Sequence, residues 1–214
     1  MKLLPRLALV LLAMLPLAAC AAEPKQLAEG EDYELIAEPG PFAPLAGKIE
    51  VVEVFGYTCP HCAHFEPMIE AWRAKQPADV RFTAVPAPFG GYWDAYARAY
   101  YAAEQVGVLK RSHADVFRAL HEQHSLPVQN VSPQELGTFY AAYGVTPERF
   151  VEALRSDEVQ QKFADARAFV RRTRIPGTPS LIVNGKYLVK GNGFEQLLRN
   201  TEALIARERA AAKP

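Results

Sequence analysis

Cys59 and Cys62 flank Pro60 and His61, and two thiols at i and i+3 on one helical turn share a face and can close a small disulfide ring. The apolar run Ile49-Glu50-Val51-Val52-Glu53-Val54-Phe55, ended by Gly56, comes just before them. Phe65, Met68, Ile69 and Trp72 follow at spacings of three and four, which reads as strand, tight turn and helix. Cys59 then stands at the helix entrance, where unpaired backbone N–H groups and the positive end of the helix dipole favour a thiolate over a thiol. Cys62, in register with Phe65, Ile69 and Trp72, is expected to be shielded, leaving Cys59 as the exposed thiol. This asymmetry suits thiol–disulfide exchange, with Cys59 meeting the substrate thiol and Cys62 resolving the mixed disulfide. His61 adds an imidazole that can donate to the Cys59 sulfur or place a positive charge beside it.

Two other readings compete. A stapling disulfide at this spacing closes almost no loop and stabilises the fold little. A copper or zinc site could use Cys59, His61, Cys62 and His64, four soft or borderline ligands within six residues. However, His61 points a different way round a helix, and no second cysteine pair completes such a site.

Glu53 is a carboxylate inside an apolar strand, on the face of Val51 and Phe55, and buried acids are rare without a reason. It can move a proton for Cys62 when the disulfide is reduced or re-formed, with its own pKa raised by desolvation. The alternative is an edge-strand glutamate reaching solvent. Glu50, on the opposite face near the strand start, is expected to be solvated. Gly177-Thr178-Pro179 precedes the run Ser180 to Val183, and a proline opening a strand often fixes a turn, trans or cis.

The elements that hold these residues follow from periodicity. Tyr33 to Ile36 is a short strand candidate within a proline-rich leader, and Val80 to Val85 is a second apolar strand, giving a βαβ unit with a parallel pair. Pro60 suits the first helical turn, and Pro67 should kink the helix one turn later. From Tyr92 to about Thr173 the texture is helical: Tyr92 to Ala103, then Leu109 to Leu120. Ser132-Pro133-Gln134-Glu135 is a capping box, Thr146-Pro147-Glu148 starts another helix, and Val159 to Val170 lies in one more. Ser180 to Val183, Asn184-Gly185 and Lys186 to Val189 read as a hairpin with a two-residue turn. A closing amphipathic helix carries Phe194, Leu197, Leu198, Leu204 and Ile205. The sheet-forming halves, residues 23–91 and 174–210, must share one sheet around an inserted helical domain, residues 92–173.

The chain has 214 residues, half of them apolar. Its amino terminus reads as an export signal, residues 1–19, with Lys2 and Arg6 before an apolar run. Leu17-Ala18-Ala19-Cys20 resembles a lipobox, making Cys20 a candidate lipidation residue. Ala19-Cys20-Ala21 equally fits plain cleavage at 21/22. Either route leads to a compartment where disulfides persist. Removing the signal leaves 22 basic and 24 acidic side chains, a near-neutral balance that argues against nucleic-acid binding or a polybasic membrane surface. No mature stretch approaches the ~18 to 20 uninterrupted apolar residues of a bilayer span. The three cysteines are too few for a disulfide-stapled scaffold.

Taken in order, Lys48-Ile49-Glu50-Val51-Val52-Glu53, Cys59-Pro60-His61-Cys62, Phe65-Glu66-Pro67, Phe89-Gly90-Gly91 and Val183-Asn184-Gly185-Lys186-Tyr187 resemble stretches of the DsbA family of periplasmic disulfide oxidoreductases, in the thioredoxin superfamily. The resemblance covers roughly residues 31–210. It implies an α/β thioredoxin fold with an inserted all-helical domain, Cys59 as nucleophile and Cys62 as resolving thiol. It further implies Glu53 as the buried acid, Thr178 and Pro179 as the substrate-facing cis-proline segment, and no bound cofactor or metal. The implied role is a monomeric periplasmic oxidase that passes its disulfide to newly exported proteins with cysteine thiols. A quinone-linked, DsbB-like membrane partner would re-oxidise it. Two departures stand out: Thr178, where many members have valine, and Thr83-Ala84-Val85, which lacks the lysine that some members place near the buried acid. A disulfide isomerase or reductase is the nearest rival, although dimeric isomerases need an extra dimerisation domain for which the stretch before Ile49 leaves no room. A copper- or zinc-binding periplasmic lipoprotein is the rival from another class.

Overall fold

The run Ile49–Phe55 is buried at every position, as a strand with neighbours on both sides must be. The computed structural model describes residues 26–212, so the signal segment and Cys20 lie outside the described residues. In chain order the elements are β1 (Tyr33–Leu35), β2 (Ile49–Phe55), α1 (Pro60–Arg73) and β3 (Val80–Pro86). The helices α2 (Tyr92–Gln105), α3 (Leu109–His121), α4 (Pro133–Ala141), α5 (Pro147–Arg155) and α6 (Asp157–Thr173) come next. The chain closes with β4 (Ser180–Val183), β5 (Tyr187–Val189) and α7 (Phe194–Ala211).

The strands form one sheet in the order β1-β5-β4-β2-β3. β2 and β3 run parallel, joined by α1, while β2–β4, β4–β5 and β5–β1 are antiparallel. The two sheet-forming halves therefore meet at β2 and β4, with the five helices α2 to α6 inserted between β3 and β4. Alternation along β2 divides the core. Ile49 and Val51 pack with Phe65, Ile69 and Trp72 of α1 and with Leu204 and Ile205 of α7. Val52 and Val54 face Tyr96, Tyr140, Phe163 and Phe169 of the inserted helices.

Local signals set the helix ends. Ser132 and Glu135 form both bonds of the capping box, and Thr146 accepts from the Arg149 N–H, satisfying donors that would otherwise be unpaired. Helix α1 continues through Pro67. The hairpin differs in one detail from its sequence reading. Asn184 (φ 50°) and Gly185 (φ 62°) turn the chain, and the Lys186 N–H donates to the Val183 carbonyl at 2.9 Å. Pairing resumes with Val183 opposite Tyr187, so Lys186 belongs to the turn. Only glycine serves at 185, since a Cβ there would overlap the Gly40 carbonyl.

Glu50 corrects an expectation: it is fully buried, not solvated. The proline-rich leader folds over it, and its carboxylate accepts from the N–H groups of Phe42 (2.7 Å) and Ala43 (3.2 Å). Arg81, its registered neighbour on β3, pairs with it at 2.7 Å. A buried carboxylate with this many donors is compensated for its lost hydration.

Candidate active site

Strand β2 ends in the turn Gly56-Tyr57-Thr58, and Cys59 is the N-cap of α1, in extended conformation, with Pro60 in the first helical turn. The Cys59 N–H donates to the Gly56 carbonyl at 3.1 Å, and the Gly56 N–H donates to the Cys62 sulfur at 3.4 Å. Gly56 must be glycine because a Cβ would overlap the Trp93 ring of α2. Trp93 extends into an aromatic lip with Phe89 and Tyr92, both of which are exposed.

Both cysteines are free thiols. Cys62 is 1% exposed and Cys59 only 8%, so the expectation of an exposed Cys59 is also corrected. The chain returning from α6 covers it: the Cys59 sulfur lies 3.4 Å from the Thr178 carbonyl oxygen, to which it donates in its thiol form, and the Thr178–Pro179 peptide is cis. The structure thus brings Cys59, Cys62 and Thr178-Pro179 together from segments 119 positions apart.

The asymmetry between the sulfurs lies in charge more than in exposure. The Cys62 thiol donates a hydrogen bond to Cys59, and this contact is the main reason the Cys59 thiol is lowered from 9.0 to about 5. Burial opposes the shift, while the Thr178 side chain and the backbone N–H groups of Cys62 and His61 assist it. Cys62 is pushed far the other way, first because its proton serves Cys59, then by burial and by repulsion from the neighbouring anion. At neutral pH the pair holds one negative charge on Cys59 and one proton on Cys62.

His61 contributes through its backbone N–H, since its imidazole is on the exposed surface, as is that of His64. Among the described residues no group of three or more His, Cys, Asp or Glu side chains is gathered as a metal ion would need, so Cys59, His61, Cys62 and His64 do not converge.

Glu53 sits on a central strand, between Ala84 of β3 and Leu181 of β4, which removes the edge-strand alternative. Burial first, then repulsion from Glu66 and Glu70, raises its pKa well above the usual carboxylate value, and Arg73 opposes the rise. It borders a cavity of about 330 Å³ lined also by Glu66, Glu70, Arg73, Lys110 and His113. The charges around the buried acid therefore come from α1 and, through Lys110, from α3, not from β3. Sequence reading missed them, although Glu66, Glu70 and Arg73 recur at four and three residues, the spacing of one helical stripe.

Comparison with known proteins places these features in context. The DSBA-like thioredoxin domain matches residues 50–201. A thiol:disulfide interchange protein DsbA of Pseudomonas aeruginosa is 37% identical over 206 residues, covering 95% of this chain and 96% of that protein. One from Pseudomonas syringae is 37% identical over 209 residues, covering 96% and 95%. Among solved structures, the oxidoreductase DsbA from Xylella fastidiosa superposes with a TM-score of 0.85 at 58% identity, covering 86% of this chain and 98% of that one.

Proposed function

Because the chain belongs to the DSBA-like thioredoxin domain family, and is on that ground a protein disulfide oxidoreductase, we propose that it acts as an oxidase, donating the Cys59–Cys62 disulfide to exported proteins. We assign the chemistry to the thioredoxin-like part, residues 23–91 and 174–210, with residues 92–173 as an inserted helical domain. The observation that carries the direction is the placement of the two sulfurs, Cys59 at the N-cap of α1 and Cys62 one turn inside it, which opposes their ionisation. A thiolate held stable at Cys59 lowers the energy of the reduced pair, so giving the disulfide away is favourable.

In the proposed cycle a client thiolate attacks the Cys59 sulfur of the disulfide, the S–S bond breaks, and Cys62 leaves with the electron pair and takes up a proton. A second client thiolate then attacks the client sulfur of the mixed disulfide, closing the client's disulfide and releasing Cys59 as a thiolate. Cys59 is the better leaving group because of its low pKa. We assign Glu53 the proton exchange with Cys62, and Thr178-Pro179 the face against which the client backbone rests. The working site is the periplasm, with a DsbB-like membrane protein linked to quinone as the re-oxidant. Among the described residues no helix is long and apolar enough to cross a membrane.

Equilibration of the Cys59/Cys62 couple with glutathione tests the direction. The expected potential lies well above the roughly −270 mV of thioredoxin, and a value near thioredoxin's would overturn the oxidase reading in favour of a reductase. The role of Glu53 has its own test. Glu53→Gln keeps shape but cannot take up a proton, and is expected to slow client oxidation roughly tenfold or more, with a melting temperature no lower than that of wild type, since it removes a carboxyl whose ionisation burial opposes. Unaltered rates would reduce Glu53 to scaffold.

A further inference from the structure

Tyr57, two residues before Cys59, is held at both ends by one helix. Its hydroxyl lies 2.6 Å from His113 Nδ1, and its backbone carbonyl lies 2.7 Å from His121 Nε2. The two histidines are eight residues apart on α3, two turns along one face. A carbonyl only accepts, so His121 carries its proton on Nε2 and donates it to Tyr57. On His113, Nε2 faces the Glu66 carboxylate of α1 at 3.4 Å. That assigns the proton to Nε2 and leaves Nδ1 to accept from the Tyr57 hydroxyl. Burial keeps that phenol protonated by raising its pKa well above the ordinary value. Phe55 and Phe117 box the His113 ring edge-on at 5.2 and 5.5 Å, limiting its freedom to turn.

We propose that His113 and His121 are positioning residues for the redox loop: they fix Tyr57 by its side chain and its backbone, and so hold the turn Gly56–Cys59 against the start of α1. The inserted helices are then part of the redox site. The turn matters because it supplies contacts to both cysteines. Gly56 N–H reaches Cys62, Gly56 carbonyl receives Cys59 N–H, and Cys59 stays among the first helical N–H groups only while the turn keeps its place. Without the His121 bond the Tyr57–Thr58 peptide can swing, and the Cys59 sulfur drifts from its donors toward the ionisation of an ordinary thiol.

The proposal rests on the oxidoreductase reading but is tested on ionisation, not on turnover. The thiolate of Cys59 is titrated by ultraviolet absorbance in wild type, His121→Ala and His121→Gln. Wild type is expected to ionise near pH 5. His121→Ala is expected to rise by about one pH unit, which cuts alkylation at pH 5 roughly fivefold, and His121→Gln, which retains a donor, should recover most of the loss. In Tyr57→Phe and His113→Leu a smaller rise is expected, and the double variant should be no worse than either single one, since both break the same bond. An unchanged midpoint in His121→Ala overturns the proposal, and so does a shift that His121→Gln does not restore. If His121→Ala fails to fold, His121→Met takes its place with the same two criteria. A wild-type midpoint near 9 would instead count against the oxidase reading, so the two failures are distinguishable.

Discussion

Cys59→Ala is expected to bring client oxidation down to the uncatalysed background, a loss of roughly 10³-fold or more, with the fold intact. Cys59 projects from the N-cap position and gives no regular side-chain cap to α1, and the His61 and Cys62 N–H groups that its sulfur serves stand at the helix start, where water can take over. Cys62→Ala should behave differently. It keeps the reactive sulfur but not its resolving partner, so it should accumulate a mixed disulfide when mixed with glutathione disulfide or an oxidised client, visible as an added mass under non-reducing conditions. Loss of the Cys62 proton donor also removes the leading cause of the low Cys59 pKa, so the trapped species should form more slowly at pH 5 than at pH 8. Oxidation that persists in Cys59→Ala would move the nucleophile elsewhere and dismantle the cycle.

The second large effect is on stability. A thiol whose pKa falls on folding, here from 9.0 to about 5, makes a stabilising contribution that is fully present above about pH 9 and is lost as pH falls through about 5. The oxidised protein has no such thiol. Between these limits the reduced form therefore gains on the oxidised form as pH rises. Four pK units at ~1.4 kcal/mol each are discounted by about half, because the 8% of Cys59 left exposed puts the thiolate at the protein surface, where solvent screens it. The gain between pH 5 and pH 8 is then on the order of 2 kcal/mol, or about 5 °C in the difference between the two melting temperatures. Glu53 is present in both forms and largely cancels. Cys62, raised far above the ordinary value, works in the opposite sense above about pH 9, where the unfolded thiol ionises and the folded one does not. The difference should accordingly stop growing there. Paired calorimetric scans of oxidised and reduced protein across this range provide the measurement, and parallel curves with no change in separation would contradict the low pKa.

Much of this arrangement was legible because it is local. The strand, the turn, the Cys59–Cys62 pair at the start of α1, and the Ser132 and Thr146 caps all depend on residues a few positions apart. Glu53 was conspicuous as a charge within an apolar strand. What stayed hidden depends on register and tertiary packing. Glu50 looked solvated because its partner Arg81 is 31 positions away and the leader that covers it has no periodicity. Thr178 reaches Cys59 across 119 positions, so the extent to which Cys59 is covered was not readable from its own neighbourhood. The contacts of His113 and His121 with Tyr57 span 56 and 64 positions, and each histidine alone reads as an ordinary half-buried residue on an amphipathic helix.

The knot at Glu50 also fixes the polarity of the molecule. Phe42 and Ala43 are fastened to the start of β2, whereas the thiols lie beyond its last residue, some 20 Å away at about 3.3 Å of rise per residue. Leu27 is likewise held by Arg207, near the far end of α7. A fluorescent label, a solid support or a fused partner joined ahead of Leu27 would grip the molecule by its blunt pole and leave the pole that carries the thiols open.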